Sequence, residues 1–219
     1  MIVGQRKPID EIYAMITAND IKKLLLGGCG TCVTISFAGG EKEVAELAAA
    51  LELKAKTDGR ALEVTQLTPL RQCEPEYTQE MSDAVKGADA VLSLSCGVGV
   101  QTLAAEFPGV RVLPGVNTMM LGSHSPDRLF VEYCGACGDC VLAETGGVCP
   151  IVRCSKSMLN GPCGGSVNGK CEVSPDIDCG WQLIFDKLNE LNLGQTWDEV
   201  KPARDWRPSW HGGPRRVQQ

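Results

Sequence analysis

Short apolar runs alternate with amphipathic stretches along the first half of the chain. The run Leu24-Leu25-Leu26-Gly27-Gly28 predicts a short buried strand that leads directly into Cys29. A helix is predicted next, because apolar residues recur at i, i+3, i+4 and i+7, namely Val44, Leu47, Ala48 and Leu51, before a stop signal at Asp58-Gly59. The same reasoning predicts a strand at 62–67, a helix at 76–86, a strand at 90–95 and a strand at 110–113.

Strands and helices that alternate at this spacing favour right-handed crossovers and a parallel sheet. We therefore expect an α/β fold over residues 1–125, a Rossmann-like parallel sheet with helices on both faces. In such a sheet the carboxyl ends of all strands share one edge, and ligands bind there.

Four cysteines fall at the predicted loop starts along this edge. Cys29 and Cys32 leave the first of these strands, Cys73 follows the second and Cys96 ends the third. The sequence therefore predicts a metal site at the sheet edge, built from four thiols. The alternative is that these cysteines are small apolar residues that fill a core.

The composition changes from about residue 126. Eight cysteines lie between residues 134 and 180, among glycines and with little helical or strand periodicity. Residues 126–180 are predicted to be a loop-rich iron-sulfur module, because a segment so poor in large apolar residues needs metal to hold it together. Residues 181–219 are predicted to form a helix with Trp181, Ile184, Leu188 and Leu191 on one side, followed by an extended tail that docks a partner or wraps its own domain.

Charge and cysteine content narrow the functional class. The chain has 27 Asp and Glu against 21 Lys and Arg, so nucleic acid is not an expected partner. The N-terminal sequence contains no apolar run of signal-peptide length, and no window is apolar enough for a membrane span. We therefore expect a cytoplasmic protein, in which the 12 cysteines are ligands more often than disulfides.

In the segment CGACGDC, two residues separate Cys134 from Cys137, and two residues separate Cys137 from Cys140. This spacing lets one loop supply three ligands of a [4Fe-4S] cluster, and glycines allow positive-φ turns that turn backbone N–H groups toward the sulfides. Zinc is the alternative, although structural zinc prefers two separated knuckles. The fourth ligand and a further set would come from the remaining cysteines, which are Cys149, Cys154, Cys163, Cys171 and Cys179.

The sequence offers no catalytic residues of its own. It contains neither a phosphate-binding G-x-x-x-x-G-K-[ST] loop nor a dinucleotide-binding G-x-G-x-x-G motif. The turn Gly27-Gly28-Cys29-Gly30 is interpreted as a metal-binding loop, and Asp139 as a turn residue that could also tune a cluster.

The stretch from Cys154 to Glu172, with its C-x8-C-G-G motif at Cys154 and Cys163, resembles the C-terminal module of methylenetetrahydrofolate reductases. Nearly the whole chain is similar to the small MetV-type subunit that accompanies the flavoprotein reductase in acetogenic and related anaerobic bacteria. Of the cysteines, only Cys134, Cys137, Cys140, Cys154 and Cys163 lie inside matched motifs.

This resemblance implies a non-catalytic, electron-transfer subunit that carries two or three [4Fe-4S] clusters, with zinc in place of one as an option. It would relay electrons from a ferredoxin or a nicotinamide-oxidising subunit to the flavin of a barrel-shaped catalytic subunit, which reduces methylene- to methyltetrahydrofolate. Two other functions stay open from the residues alone. One is a zinc-binding structural adaptor that carries no electrons, and the other is a free-standing enzyme with an open iron site.

Overall fold

The computed structural model describes residues 1–194 and 200–217. The chain divides into two compact units, Met1–Met120 and Leu121–Gln219. The predicted division into 1–125, 126–180 and 181–219 stays a prediction, and residues 195–199 and 218–219 of its last segment lie outside the described residues.

The first unit alternates strands and helices. Its strands are β1 (Ile2–Arg6), β2 (Lys23–Gly27), β3 (Glu63–Leu67), β4 (Ala90–Ser93) and β5 (Arg111–Pro114). Its helices are α1 (Ile9–Ala18), α2 (Cys32–Ile35), α3 (Glu41–Thr57), α4 (Pro75–Thr78), α5 (Ser82–Lys86) and α6 (Gly97–Glu106). The single helix predicted at 76–86 is therefore divided into α4 and α5, with a 3₁₀ turn at Gln79–Met81 between them.

Strands β2 to β5 form a four-stranded parallel sheet in the order β3-β2-β4-β5. Leu25 at the centre of β2 pairs with Thr65 of β3 and with Val91 of β4. The strand order reverses direction between β2 and β4, and doubly wound sheets bind ligands at the carboxyl ends beside such a reversal. The predicted α/β class with a parallel sheet is confirmed.

Alternate residues of β2 enter two different apolar clusters. Leu24 and Leu26 pack with α1 and α3, whereas Leu25 packs with Met81, Val85 and Leu103. Because successive side chains of a strand point to opposite faces, both faces of the sheet are covered by helical segments.

The start and the end of helix α3 are explained by its sequence. The Gly40 N–H donates to the Glu43 carboxylate at 2.9 Å, which supplies an acceptor for the first turn. The buried face contains Val44, Leu47 and Leu51 at the predicted spacing. The helix ends before Gly59, whose φ of +67° is a left-handed conformation that glycine adopts without strain.

A buried polar network lies under the carboxyl edge of the sheet. Gln72 is fully buried, and its Nε2 donates to the Gly28 carbonyl at 2.5 Å. Its Oε1 accepts a hydrogen bond from Ser93 at 2.5 Å. Ser93 lies 2.7 Å from the Ser95 hydroxyl, which in turn donates to the carbonyl of Cys96 at 3.2 Å. One glutamine therefore connects the loops that follow β2, β3 and β4.

The second unit contains short elements and long loops. The end of β6 (Val116–His124), a strand that starts in the first unit, pairs antiparallel with β7 (Phe130–Cys134). Further along lie α7 (Pro150–Arg153), the antiparallel pair β8 (Lys170–Cys171) and β9 (Ser174–Asp178), α8 (Gly180–Glu190) and a 3₁₀ turn at Trp210–Gly212.

Helix α8 confirms the helix predicted from Trp181, but it ends at Glu190, and Leu191, which was expected on its apolar side, is exposed. The buried face of α8 consists of Trp181, Ile184 and Leu188. These side chains pack against residues of the cysteine-containing loops, including Cys154 and Met158. The Trp181 indole N–H also donates to the Met158 carbonyl at 2.9 Å. In the part of the chain that the structure describes, no helix has the length and apolar character needed to cross a membrane.

Replacing Gln72 by Leu should reveal how far the sheet edge depends on the buried network. The change leaves the Gly28 carbonyl and the Ser93 hydroxyl without their buried partner, so we expect the free energy of unfolding to fall by about 1–3 kcal/mol. Urea denaturation followed by circular dichroism measures this loss. Gln66→Leu on the exposed side of β3 is the matched control. Equal stability of the Gln72→Leu and Gln66→Leu proteins would show that the network contributes nothing.

Candidate functional site

Three thiols from separate loops gather at the carboxyl edge of the parallel sheet. Cys29 follows β2, Cys73 follows β3, and Cys96 follows β4 directly before α6. The pKa of the Cys73 thiol is raised. The main cause is burial, which removes water from around the thiol, and a smaller cause is negative charge on Cys29 and Cys96, which opposes its ionisation. The three loops that carry these thiols leave adjacent strands of the sheet, in the order β3-β2-β4.

The loop after β2 also carries Cys32, at the first position of α2. Cys29 is buried, and its Sγ lies 3.9 Å from the carbonyl of Leu70 on the loop after β3. The Gly30 N–H donates to the neighbouring Pro69 carbonyl at 3.0 Å. These contacts hold the two loops together. We call Cys29, Cys32, Cys73 and Cys96 the sheet-edge group.

The CGACGDC segment of the second unit is a succession of tight turns. Cys134 ends β7, and its sulfur accepts a hydrogen bond from the Ala136 N–H at 3.3 Å. The backbone is left-handed at Ala136, with a φ of +50°, and at Gly138, with a φ of +83°. These turns separate Cys137 from the cysteines on either side. The expected positive-φ turns are present. Between Cys134 and Cys137, however, the residue with positive φ is Ala136 and not Gly135.

Cys149 is the residue that precedes α7, with Pro150 at the first helical position. Helix α7 packs close to the start of the CGACGDC segment, where Val152 Cγ1 would lie 3.3 Å from a Cβ built at Gly135. Arg153 lies over the Tyr133 ring of β7, 5.6 Å from its centre. We call Cys134, Cys137, Cys140 and Cys149 the loop group, and residues 134–140 the cysteine loop.

A second set of four thiols lines one small cavity of about 20 Å³, and we call it the cavity group: Cys154, Cys163, Cys171 and Cys179. Lys156 and Glu172, which form an ion pair, also line this cavity. Cys171 comes from β8, and Cys179 precedes α8 with its N–H bonded to the Gly169 carbonyl at 2.8 Å. Four cysteine residues from separate parts of the chain therefore line the same cavity.

The thiol of Cys171 lies among hydrogen-bond donors. The Ser155 hydroxyl lies 3.5 Å from its sulfur and is the main reason that the pKa of this thiol is lowered. The backbone N–H groups of Val173 and Ser174 and the charge of Lys156 act in the same direction. A lowered pKa increases the fraction of thiolate at Cys171, and the thiolate is the form that binds metal.

The chemistry of the donors fits metal binding by thiolates. All 12 cysteines are free thiols. Within residues 1–194 and 200–217, however, no three histidine, cysteine, aspartate or glutamate side chains lie close enough together to hold an ion. The thiols of each group would have to move inward, since a zinc–sulfur bond is only about 2.3 Å long.

The tail segment 200–217 contributes groups that the sequence alone did not identify. Arg204 is the main one, because its Nη2 lies 3.1 Å from the Cys137 sulfur. Arg215 donates to the Ala136 carbonyl at 2.7 Å. Of the two predicted outcomes for the tail, these contacts favour the one in which it wraps its own domain. Trp210 nevertheless remains 68% exposed.

The two histidines make aromatic contacts. His124 lies 4.3 Å from the Phe130 ring, and His211 stacks on Trp210 at 4.0 Å. His211 is also hydrogen-bonded to Ser209.

Comparison with known protein families finds a match over part of the chain. The family model described as methylene-tetrahydrofolate reductase C terminal matches residues 113–207. Neither the curated proteins nor the solved structures contain a significant match to the chain. The loop group and the cavity group lie within the matched residues, whereas the sheet-edge group lies outside them. Residues 113–207 therefore resemble the C-terminal domain of methylene-tetrahydrofolate reductases, in agreement with the resemblance noted for the cysteine motif that begins at Cys154.

Proposed function

We propose that the chain is an electron-transfer subunit of a methylenetetrahydrofolate reductase complex, which carries iron-sulfur clusters and relays electrons to the flavin of a separate catalytic subunit. The observation that carries this proposal is the grouping of free thiols inside the family domain, where four line one cavity and three more lie on a single loop. The family match supports the association with a reductase. When bound, iron-sulfur clusters supply one-electron carriers.

The loop group is our proposed site for a [4Fe-4S] cluster. Its first three cysteines have the C-x2-C-x2-C spacing, and left-handed residues between them form turns that present backbone N–H groups to sulfur. Cys149 is the proposed fourth ligand, because α7 packs beside the start of the cysteine loop.

The cavity group favours a single metal ion. A cavity of 20 Å³ is close to the space that one water molecule requires, about 10–15 Å³, and is much too small for a cube of irons and sulfides. Four thiolates around one small ion is the usual structural zinc site. We therefore propose zinc at Cys154, Cys163, Cys171 and Cys179.

The sheet-edge group is our proposed second cluster site. Its cysteines lie at the carboxyl edge of a parallel sheet beside the strand-order reversal, and that strand order supports a Rossmann-like first domain. The loops that carry Cys29, Cys73 and Cys96 are joined by the Gln72 network, which would keep their thiols in place.

A zinc-bound structural adaptor is the competing function, and the small cavity volume supports zinc in at least one site. In the adaptor the loop group and the sheet-edge group would also hold zinc. The partners that we propose for the electron-transfer function are the flavin-containing catalytic subunit and a ferredoxin or nicotinamide-oxidising donor.

Metal analysis of the anaerobically purified full chain separates these functions. We expect about eight irons and about one zinc per chain, because each [4Fe-4S] cluster binds four irons. After reduction with dithionite, electron paramagnetic resonance should show reduced-cluster signals. About three zincs with no iron and no signal would instead support the adaptor and contradict electron transfer.

Two single substitutions test which group holds which metal. Cys137→Ser should remove about four irons and leave zinc in place, since it removes one ligand of the loop group. Cys171→Ser should remove zinc and leave the irons, and each variant serves as the control for the other. Loss of iron in Cys171→Ser would show that the cavity group binds a cluster.

A further inference from the structure

Arg204 is a buried cation that touches the cysteine loop. Its side chain is only 6% exposed. Its Nη2 lies 3.1 Å from the Cys137 sulfur and also donates to the backbone carbonyl of Asp139. Within the described residues, its Nε is buried and has no hydrogen-bond partner. The guanidinium also lies over the Trp206 ring, 5.1 Å from its centre.

Among residues 1–194 and 200–217, the charge of this guanidinium is paired with one carboxylate, that of Asp139. The Asp139 carboxylate lies 3.7 Å from Nη1, but its side chain is 57% exposed and solvent screens it. A buried charge is costly unless it is paired, and arginine keeps its charge at any physiological pH. Besides the Asp139 carbonyl, which is neutral, Nη2 contacts the Cys137 sulfur, which is negatively charged only as a thiolate. The position therefore suits an anionic group on the cysteine loop.

The tail is fitted closely enough to the cysteine loop to keep Arg204 in place. At Gly138, a Cβ would collide with the Pro208 carbonyl, so the loop and the tail approach each other to backbone distance. Arg215 donates both to the Ala136 carbonyl at 2.7 Å and to the Pro208 carbonyl at 3.2 Å.

We propose that Arg204 is the counter-charge of an anionic, thiolate-bound metal cluster on the cysteine loop, and that it raises the reduction potential of that cluster. This inference rests on the proposed function, specifically on a cluster at the loop group. Reduction adds one electron and hence one negative charge, with no bond formed or broken. A fixed positive charge 3.1 Å from one ligand sulfur stabilises the reduced state more than the oxidised state.

The test is a redox titration of the full chain, with dithionite as reductant and the cluster signal read by electron paramagnetic resonance. Cys137→Ser first identifies which signal belongs to the loop group. Arg204→Met should then make the potential of that signal more negative, with a change of about tenfold in the reduction equilibrium, or about 59 mV. Arg204→Lys keeps the charge and should recover part of the shift.

Arg207→Met is the matched control. Arg207 lies on the same tail, but its side chain is 89% exposed and pairs with Asp205 at 2.7 Å. The variant loses the same unit of charge, and we expect its potential to equal that of the unmodified protein. Thermal unfolding of all variants reports any loss of stability. If the role of Arg204 were purely structural, Arg204→Met would lower the unfolding temperature and leave the reduction potential unchanged.

The outcomes separate this inference from the proposed function. A loop-group signal whose potential is the same in Arg204→Met and Arg207→Met overturns the role of Arg204 and leaves the electron-transfer proposal intact. If Cys137→Ser removes no electron paramagnetic resonance signal, the proposed cluster at the cysteine loop is wrong, and so is the proposed role of Arg204. A shift in Arg204→Met alone, partly restored in Arg204→Lys, supports the inference.

Discussion

The second unit consists largely of long loops, and it buries little apolar surface that could hold them together. In its described part, the buried apolar cluster consists of Trp181, Ile184 and Leu188 on α8, with a few half-buried residues around it. Small domains with cores of this size usually need disulfides or metal to stay folded. Free thiols at the turns supply the ligands, so in our account the metal that the thiols bind also orders the backbone that presents them.

The first unit is built differently, since apolar helices cover both faces of a parallel sheet. Its thiols lie at the sheet edge, over a buried polar network. That network connects three loops through Gln72, Ser93 and Ser95. A preformed edge of this kind can hold thiols in position before metal arrives, whereas our proposal implies that metal binding and folding are coupled in the second unit.

Regular periodicity made the parallel sheet, α3 and α8 predictable, because each buries one apolar face whose spacing is visible locally. The sequence did not reveal that the helix expected at 76–86 is divided, nor that β6 and β7 form a pair. Gln72 was missed because a glutamine beside an exposed cysteine carries no local signal of burial. Arg204 was missed because it contacts Cys137 across 67 residues, and only the folded tail brings the two together. The cysteine spacing predicted metal binding, which stays a prediction, and the separation of the cavity group from the loop group required the structure.

X-ray absorption at the iron and zinc edges of the anaerobically purified full chain tests the central claim most directly. The account predicts that both metals are surrounded by sulfur alone, with zinc–sulfur distances of about 2.3 Å and a short iron–iron distance from a cluster. Oxygen and nitrogen neighbours around both metals, with no iron–iron distance, would contradict the claim that the cysteines of this chain are its metal ligands.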